Sequence, residues 1–165
     1  MVCFCGEQKI LNPRDINPLV IQNYARYISK QRLSTASVAN YLAIMAQLES
    51  EYPAIRFVYM TGHTDGTSGS TSELVRNNQM VRDYVTANKK LLYDFADIES
   101  WLPDGTPYSG VPTDACPWCQ DWCDAHPGFC PNPAISCAHS HSLNCYLKGQ
   151  AMWWLSARIA GWAGN

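Results

Sequence analysis

Apolar positions along the chain switch between a strand-like and a helical rhythm. Residues 1–5, Met-Val-Cys-Phe-Cys, form a short apolar run closed by Gly6 and predict a buried strand. Asn12-Pro13 and Asn17-Pro18 mark a loop, after which Val20, Ile21, Tyr24, Tyr27 and Ile28 give residues 19–31 a helical stripe. Ser37 is a good cap for a second helix, with Val38, Tyr41, Leu42, Ile44, Met45 and Leu48 at helical spacing until Pro53 stops it. Residues 55–60 are β-branched and aromatic and end at Thr61-Gly62, which predicts a second strand. A polar loop from Gly62 to Ser72 leads into a helix over about 73–89, whose stripe is Leu74, Val75, Met80, Val81, Tyr84 and Val85. Residues 91–96 predict a third strand, running into the acidic Asp97 and Glu99.

The order β-α-α-β-α-β predicts an α/β fold in three αβα layers, with helices covering a short parallel sheet of the flavodoxin-like kind. Residues 101–147 lack periodicity and are rich in Cys, Trp and Pro, so they read as a stapled irregular insertion. Residues 148–162 predict a final apolar helix whose tryptophans are core. No internal repeat divides the chain, and residues 1–165 read as one domain.

Composition narrows the picture. The net charge is −2 over 165 residues, without the clustered basic surface that a nucleic-acid binder needs. Charged residues make up 16% and hydrophobic ones 47%, which excludes a disordered chain. No apolar run of about 18 residues exists, so no membrane span is predicted. The first residues have neither the basic start nor the apolar stretch of a signal peptide. Six of the eight cysteines lie between Cys116 and Cys145, spaced C-x2-C-x3-C-x6-C-x6-C-x7-C. That spacing is open to three readings: a local disulfide framework, free thiols, or a structural zinc built on Cys116-x-x-Cys119. A disulfide framework without an export signal would make this chain a piece of a longer, exported protein.

Ligands of open parallel sheets bind at the carboxyl ends of the strands. That rule selects Cys5, Gly6 and Gln8 after the first strand, and Gly62, His63, Thr64 and Asp65 after the second. It also selects Asp94, Asp97 and Glu99 at the third, with His139 and His141 before the last helix. His63 lies in a polar loop, where histidines serve as acids and bases, and its bland alternative is a loop histidine beside an Asx-turn at Asp65. Asp65, Asp97 and Glu99 together supply the oxygen set that a hard divalent cation requires, or else are simply solvated.

Three segments carry a resemblance. Tyr59-Met60-Thr61-Gly62-His63, then Asp94-Phe95-Ala96-Asp97-Ile98-Glu99, then His139-Ser140-His141-Ser142-Leu143-Asn144 are similar in order to the SGNH (GDSL-type) hydrolase superfamily, in particular to uncharacterised bacterial members. The last segment resembles the family's closing Asp-x-x-His-x-Asn block, which implies His141 as catalytic base and Asn144 as its neighbour. Cys5-Gly6-Glu7-Gln8 stands at the family's third block, with Gln8 near the amide donor. The departures are specific. The family's serine nucleophile and oxyanion-hole glycine belong upstream of a strand like residues 1–5, and Ala138 stands where the triad's Asp belongs. The resemblance therefore implies an N-terminally truncated SGNH-like fold.

Acyl transfer needs nucleophile, base and oxyanion donors within about 3 Å of one another. Without the serine, hydrolysis of an ester, lactone or acyl-sugar would use another route. One route is water activated by His63 or His141 beside Asp65, with Gly6, Gln8, Gly62, Thr64 and Asn144 binding the small-molecule substrate. Ca2+ or Zn2+ at Asp65, Asp97 and Glu99 would polarise the carbonyl. A Cys5 thiolate and a serine of the loop 67–72 are further routes. A rival reading is a non-catalytic remnant or carbohydrate-binding module that uses Trp101, Trp118 and Trp122. The open sheet edge at residues 1–5 also offers a route to a homodimer.

Overall fold

Helix α1 (Thr35–Glu51) opens the described part of the computed structural model, which covers residues 35–69, 72–131, 137–138 and 140–164. The predicted first strand, the helix over 19–31, Cys5, Gly6, Gln8 and His139 lie outside the described residues, as does the proposed dimer edge. Ala36, Ala39, Ala43 and Ala46 favour α1, and the approach to Pro53 ends it. It begins two residues before the predicted cap, so Ser37 sits in the first turn. Met1–Ile55, which contains α1, and Arg56–Asn165 are separate compact units, and the remaining description concerns the second.

Strands β1 (Val58–Met60) and β2 (Leu91–Tyr93) pair in parallel, with Val58 opposite Leu91, Tyr59 opposite Leu92 and Met60 opposite Tyr93. β1 is shorter than the predicted 55–60 because Ile55 closes a turn, its N–H donating to the Tyr52 carbonyl at 3.0 Å. Helix α2 (Glu73–Asn88) connects the strands, as parallel pairing demands of a crossover. Ser72 caps it by accepting from the Val75 N–H, and Lys89 ends it in the left-handed region at φ 52°. Tyr59, the inward residue of β1, meets Tyr84 of α2 with ring centroids 5.5 Å apart.

β2 stops three residues before the predicted end at 96. Asp94 accepts from the Asp97 N–H and so starts helix α3 (Phe95–Ser100), which carries Asp97 and Glu99 off the strand. The segment after α3 is less irregular than its composition predicts: it contains helix α4 (Cys119–Ala125), and helix α5 (Ser142–Ile159) starts six residues before the predicted 148. His141 is the reason for the early start, since its Nδ1 accepts the Leu143 N–H at 3.1 Å.

The cysteine-rich stretch is not an appendage to the core but a large part of it. Cys116, Trp118, Cys119 and Leu143 are buried together, flanked by Leu102, Tyr108, Trp122, Cys123, Cys130 and Leu147. Three cysteine pairs lie at disulfide distance, Cys116–Cys119, Cys123–Cys130 and Cys137–Cys145, with Cα separations of 5.4, 5.7 and 6.3 Å. The last helix departs from expectation in the other direction. Leu143 and Leu155 are buried, but Trp153 is 77% exposed and Trp154 and Trp162 are exposed as well. Trp153 and Trp154 lie between the two buried leucines and Trp162 beyond them, and their exposure shows that they are not the core of the unit. Among the described residues, no helix is long and apolar enough to cross a membrane. The described residues form a mixed α/β fold with a two-stranded parallel sheet.

Candidate functional site

The loop leaving β1 is held residue by residue. Thr61, almost fully buried, donates its hydroxyl to Asp94 Oδ1 at 2.8 Å and accepts the Ala96 N–H at 3.1 Å. Asn78 of α2 satisfies both backbone groups of Gly62, accepting its N–H at 2.8 Å and donating to its carbonyl at 3.0 Å. A side chain at Gly62 would meet Leu74 Cδ1 at 3.1 Å, which favours glycine there. Arg82 forks onto Asp94, Nε to Oδ2 at 2.6 Å and Nη2 to Oδ1 at 2.9 Å. Half-burial pushes the Asp94 carboxyl up, but the bonds from Arg82 and Thr61 outweigh it and hold the group below the usual range.

Thr64 is the hub. Its N–H and its hydroxyl both donate to Glu99 Oε2, at 2.5 and 2.6 Å, and its carbonyl accepts the Asp114 N–H at 3.0 Å. Glu99 is fully buried, and its other oxygen takes Lys148 Nζ of α5. The Lys148 ammonium also lies over the Phe95 ring, 4.7 Å from its centroid.

His63 projects from this loop with a side chain 60% exposed. Its Nδ1 lies 3.1 Å from the Thr64 carbonyl and 3.9 Å from Asp114 Oδ2. Both neighbours are acceptors, so Nδ1 carries the hydrogen and Nε2 keeps its lone pair. His141 has the reverse arrangement. Its Nδ1 accepts from Leu143, which puts the hydrogen on Nε2, 3.4 Å from Gln120 Oε1. An imidazole in that tautomer donates from Nε2. Asp114 joins the two segments, because its carbonyl accepts from Ser140 Oγ and, at 3.0 Å, from Asn144 Nδ2. Asn144 is fully buried and also donates to Ser140 Oγ at 2.8 Å, so it braces the site from within.

The loops of His63 and His141 are thus stitched together through Asp114, while the expected carboxylate set does not gather. Asp65 is exposed and accepts from the Thr67 N–H at 3.0 Å and its hydroxyl at 2.6 Å, an Asx-turn whose hydroxyl bond holds its carboxyl below the usual range. Asp97 lies on the exposed side of α3, where desolvation and then the Asp94 charge push its carboxyl up. Glu99 is committed to Lys148 and Thr64. Asp65, Asp97 and Glu99 therefore do not form a cation site, and no group of three His, Cys, Asp or Glu among the described residues does. The aromatic trio also separates: Trp118 is buried and donates to the Glu99 carbonyl at 3.1 Å, and Trp122 stacks on His126 at 3.9 Å, which leaves Trp101 exposed.

A cavity of about 190 Å³ opens beside Thr64. Leu74, Val75, Ala96 and Pro112 supply apolar wall, while Thr67 and Ser100 add hydroxyls. Asn78 and Arg82 were legible as polar residues set into the apolar stripe of the α2 sequence, four residues apart. Asp114 carries no comparable signal; only its place just ahead of the cysteine run sets it apart. Comparison with family models, with curated proteins and with solved structures finds no match for the chain.

Proposed function

We propose that the protein is a hydrolase of the three-layer, SGNH-like kind, acting on an ester, lactone or acyl-sugar bond through a histidine-activated water. The observation that carries this reading is the setting of His63. Its Nδ1–H points to the Thr64 carbonyl with the Asp114 carboxylate 3.9 Å away, and Nε2 has no partner among the described residues. A general-base imidazole needs that arrangement, an oriented N–H on one side and a lone pair on the other. His63 Nε2 takes a proton from water as the oxygen attacks the acyl carbon. His141 Nε2–H, on the segment tied to the same Asp114, donates to the oxygen that gains charge. The tetrahedral intermediate then collapses, the acyl–oxygen bond breaks, and the imidazolium of His63 returns its proton to the leaving alkoxide.

The adjoining cavity sets the size of the acyl group. Pockets for drug-sized ligands measure roughly 300–1,000 Å³, whereas this cavity measures about 190 Å³; Thr64, whose carbonyl faces His63 Nδ1, lines it, while His63, His141 and Asp114 do not. Acetyl and similarly short acyl groups fit; long chains do not. The test is a panel of p-nitrophenyl esters of increasing length, acyl-homoserine lactones and acetylated sugars, with and without chelator. Turnover of the short acyl members, unaffected by chelator, is expected. No turnover on any member, with saturable glycan binding instead, would replace the enzyme with a binding module.

A further inference from the structure

We infer that Glu99 is a positioning residue for His63, acting through Thr64 to fix the imidazole's tautomer. The inference rests on His63 being the proton acceptor, but its first readout does not depend on turnover.

A carboxylate with no exposed surface is costly to bury, and replacing a buried ion pair by apolar residues is often neutral or stabilising. Stability alone therefore does not call for a charge at this point. What Glu99 does supply is orientation. Its Oε2 holds the N–H and hydroxyl of Thr64 at 2.5 and 2.6 Å, so the Thr64 carbonyl is turned toward His63 Nδ1 and the Asp114 N–H. All three polar groups of Thr64 are thereby engaged. Its Oε1 binds Lys148, two helical turns beyond His141 on α5, and Tyr93 fixes the backbone there by donating to the Lys148 carbonyl at 2.6 Å. One buried carboxylate thus anchors the loop of His63 and the helix of His141 to the same point. If Thr64 is released, its carbonyl no longer stands opposite His63 Nδ1, and the ring is free to carry its hydrogen on Nε2, where it has no lone pair for water.

The experiment is long-range 15N–1H correlation of the histidine ring nitrogens in the full chain. In the unmodified protein His63 shows its hydrogen on Nδ1 and His141 on Nε2. His126, whose Nδ1 donates to the Trp122 carbonyl at 2.9 Å, serves as an internal reference. In Thr64→Val, and in the double variant Glu99→Met/Lys148→Met, which leaves neither a lone buried charge nor an acceptor for Thr64, the Nδ1–H form of His63 falls from dominant to minor. His141 and His126 keep their patterns, and Thr64→Ser restores the original state. On an ester that is turned over, kcat falls about 10- to 100-fold in the first two variants, with KM little changed. Folded variants with an unaltered His63 pattern, or Thr64→Ser behaving like Thr64→Val, would overturn the inference. Absence of any hydrolysis would remove the enzymatic reading, while the tautomer shift would still uphold the role of Glu99.

Discussion

Lys148→Met removes the cation from a carboxylate that has no exposed surface, while the lysine side chain itself is only 13% exposed. Neither water nor salt screens such a pair well. Methionine keeps the packing of the aliphatic stem, so the loss is electrostatic. Breaking a buried pair from one side costs about 3–5 kcal/mol, and the contact of the ammonium with the Phe95 ring adds about 0.5–1 kcal/mol. The two Thr64 donors remain on Glu99 and offset part of this, which sets the expectation at about 3–4 kcal/mol. For a chain of this length that corresponds to a melting point lower by about 10 °C. Urea unfolding should show a lower midpoint at unchanged slope. Glu99→Gln in the same background should recover most of the loss, because the stranded charge is then gone. A cost below about 1 kcal/mol in Lys148→Met would refute the reasoning, since it would mean that Glu99 reaches solvent.

Further outcomes follow from the same contacts. Asp94 is held below its ordinary value of 3.8, so its pairing stabilises the fold fully above that pH and the contribution is lost as pH falls through the lower folded value. The destabilisation caused by Arg82→Met, measured by urea unfolding, should therefore shrink on acidification below about pH 4. Asp97 is shifted the other way, which makes its ionised form a burden to the folded state at neutral pH. Asp97→Asn should stabilise at pH 7, and the gain should vanish below about pH 4. Asn78→Ala removes the partner of both Gly62 backbone groups; Gly62 itself is exposed, so water replaces part of the loss, and the cost should be about 1 kcal/mol by the same assay. Replacing Cys123 and Cys130 by serine opens a short loop against the core and should cost about 2–3 kcal/mol, with non-reducing peptide mapping of the parent showing the two joined.

The strand-and-helix order of residues 55–93 was legible because each element carries its own period and boundary signal. Ser72, the last residue of the expected polar loop, caps the helix that follows it, and the parallel pair follows from the helix between the strands. The rest was hidden for reasons of chemistry rather than pattern. Leu91 to Ala96 reads as one apolar strand, and only the capping bond of Asp94 to the Asp97 N–H turns it into a helix halfway. The cysteine segment has no period, so its place in the core depends on pairings that spacing leaves undetermined. At the site, the sequence pointed to His63, Thr64, His141 and Asn144, and all four lie on segments that meet at Asp114. Their roles were not legible. Whether an imidazole accepts or donates is decided by its hydrogen-bond partners, here a carbonyl for His63 and a helix N–H for His141. Glu99 looked like a cation ligand because nothing in its local sequence reveals Lys148, which lies 49 residues away.

The sharpest comparison is between two single variants on a short acyl ester. His63→Ala should lower kcat/KM by about 100-fold or more, the usual worth of a general base. His141→Asn, whose amide oxygen can still cap α5, should leave the proton acceptor in place and cost far less, about 10-fold. Loss of turnover in His141→Asn with near-normal rates in His63→Ala would reverse the two roles and contradict the reading of the site.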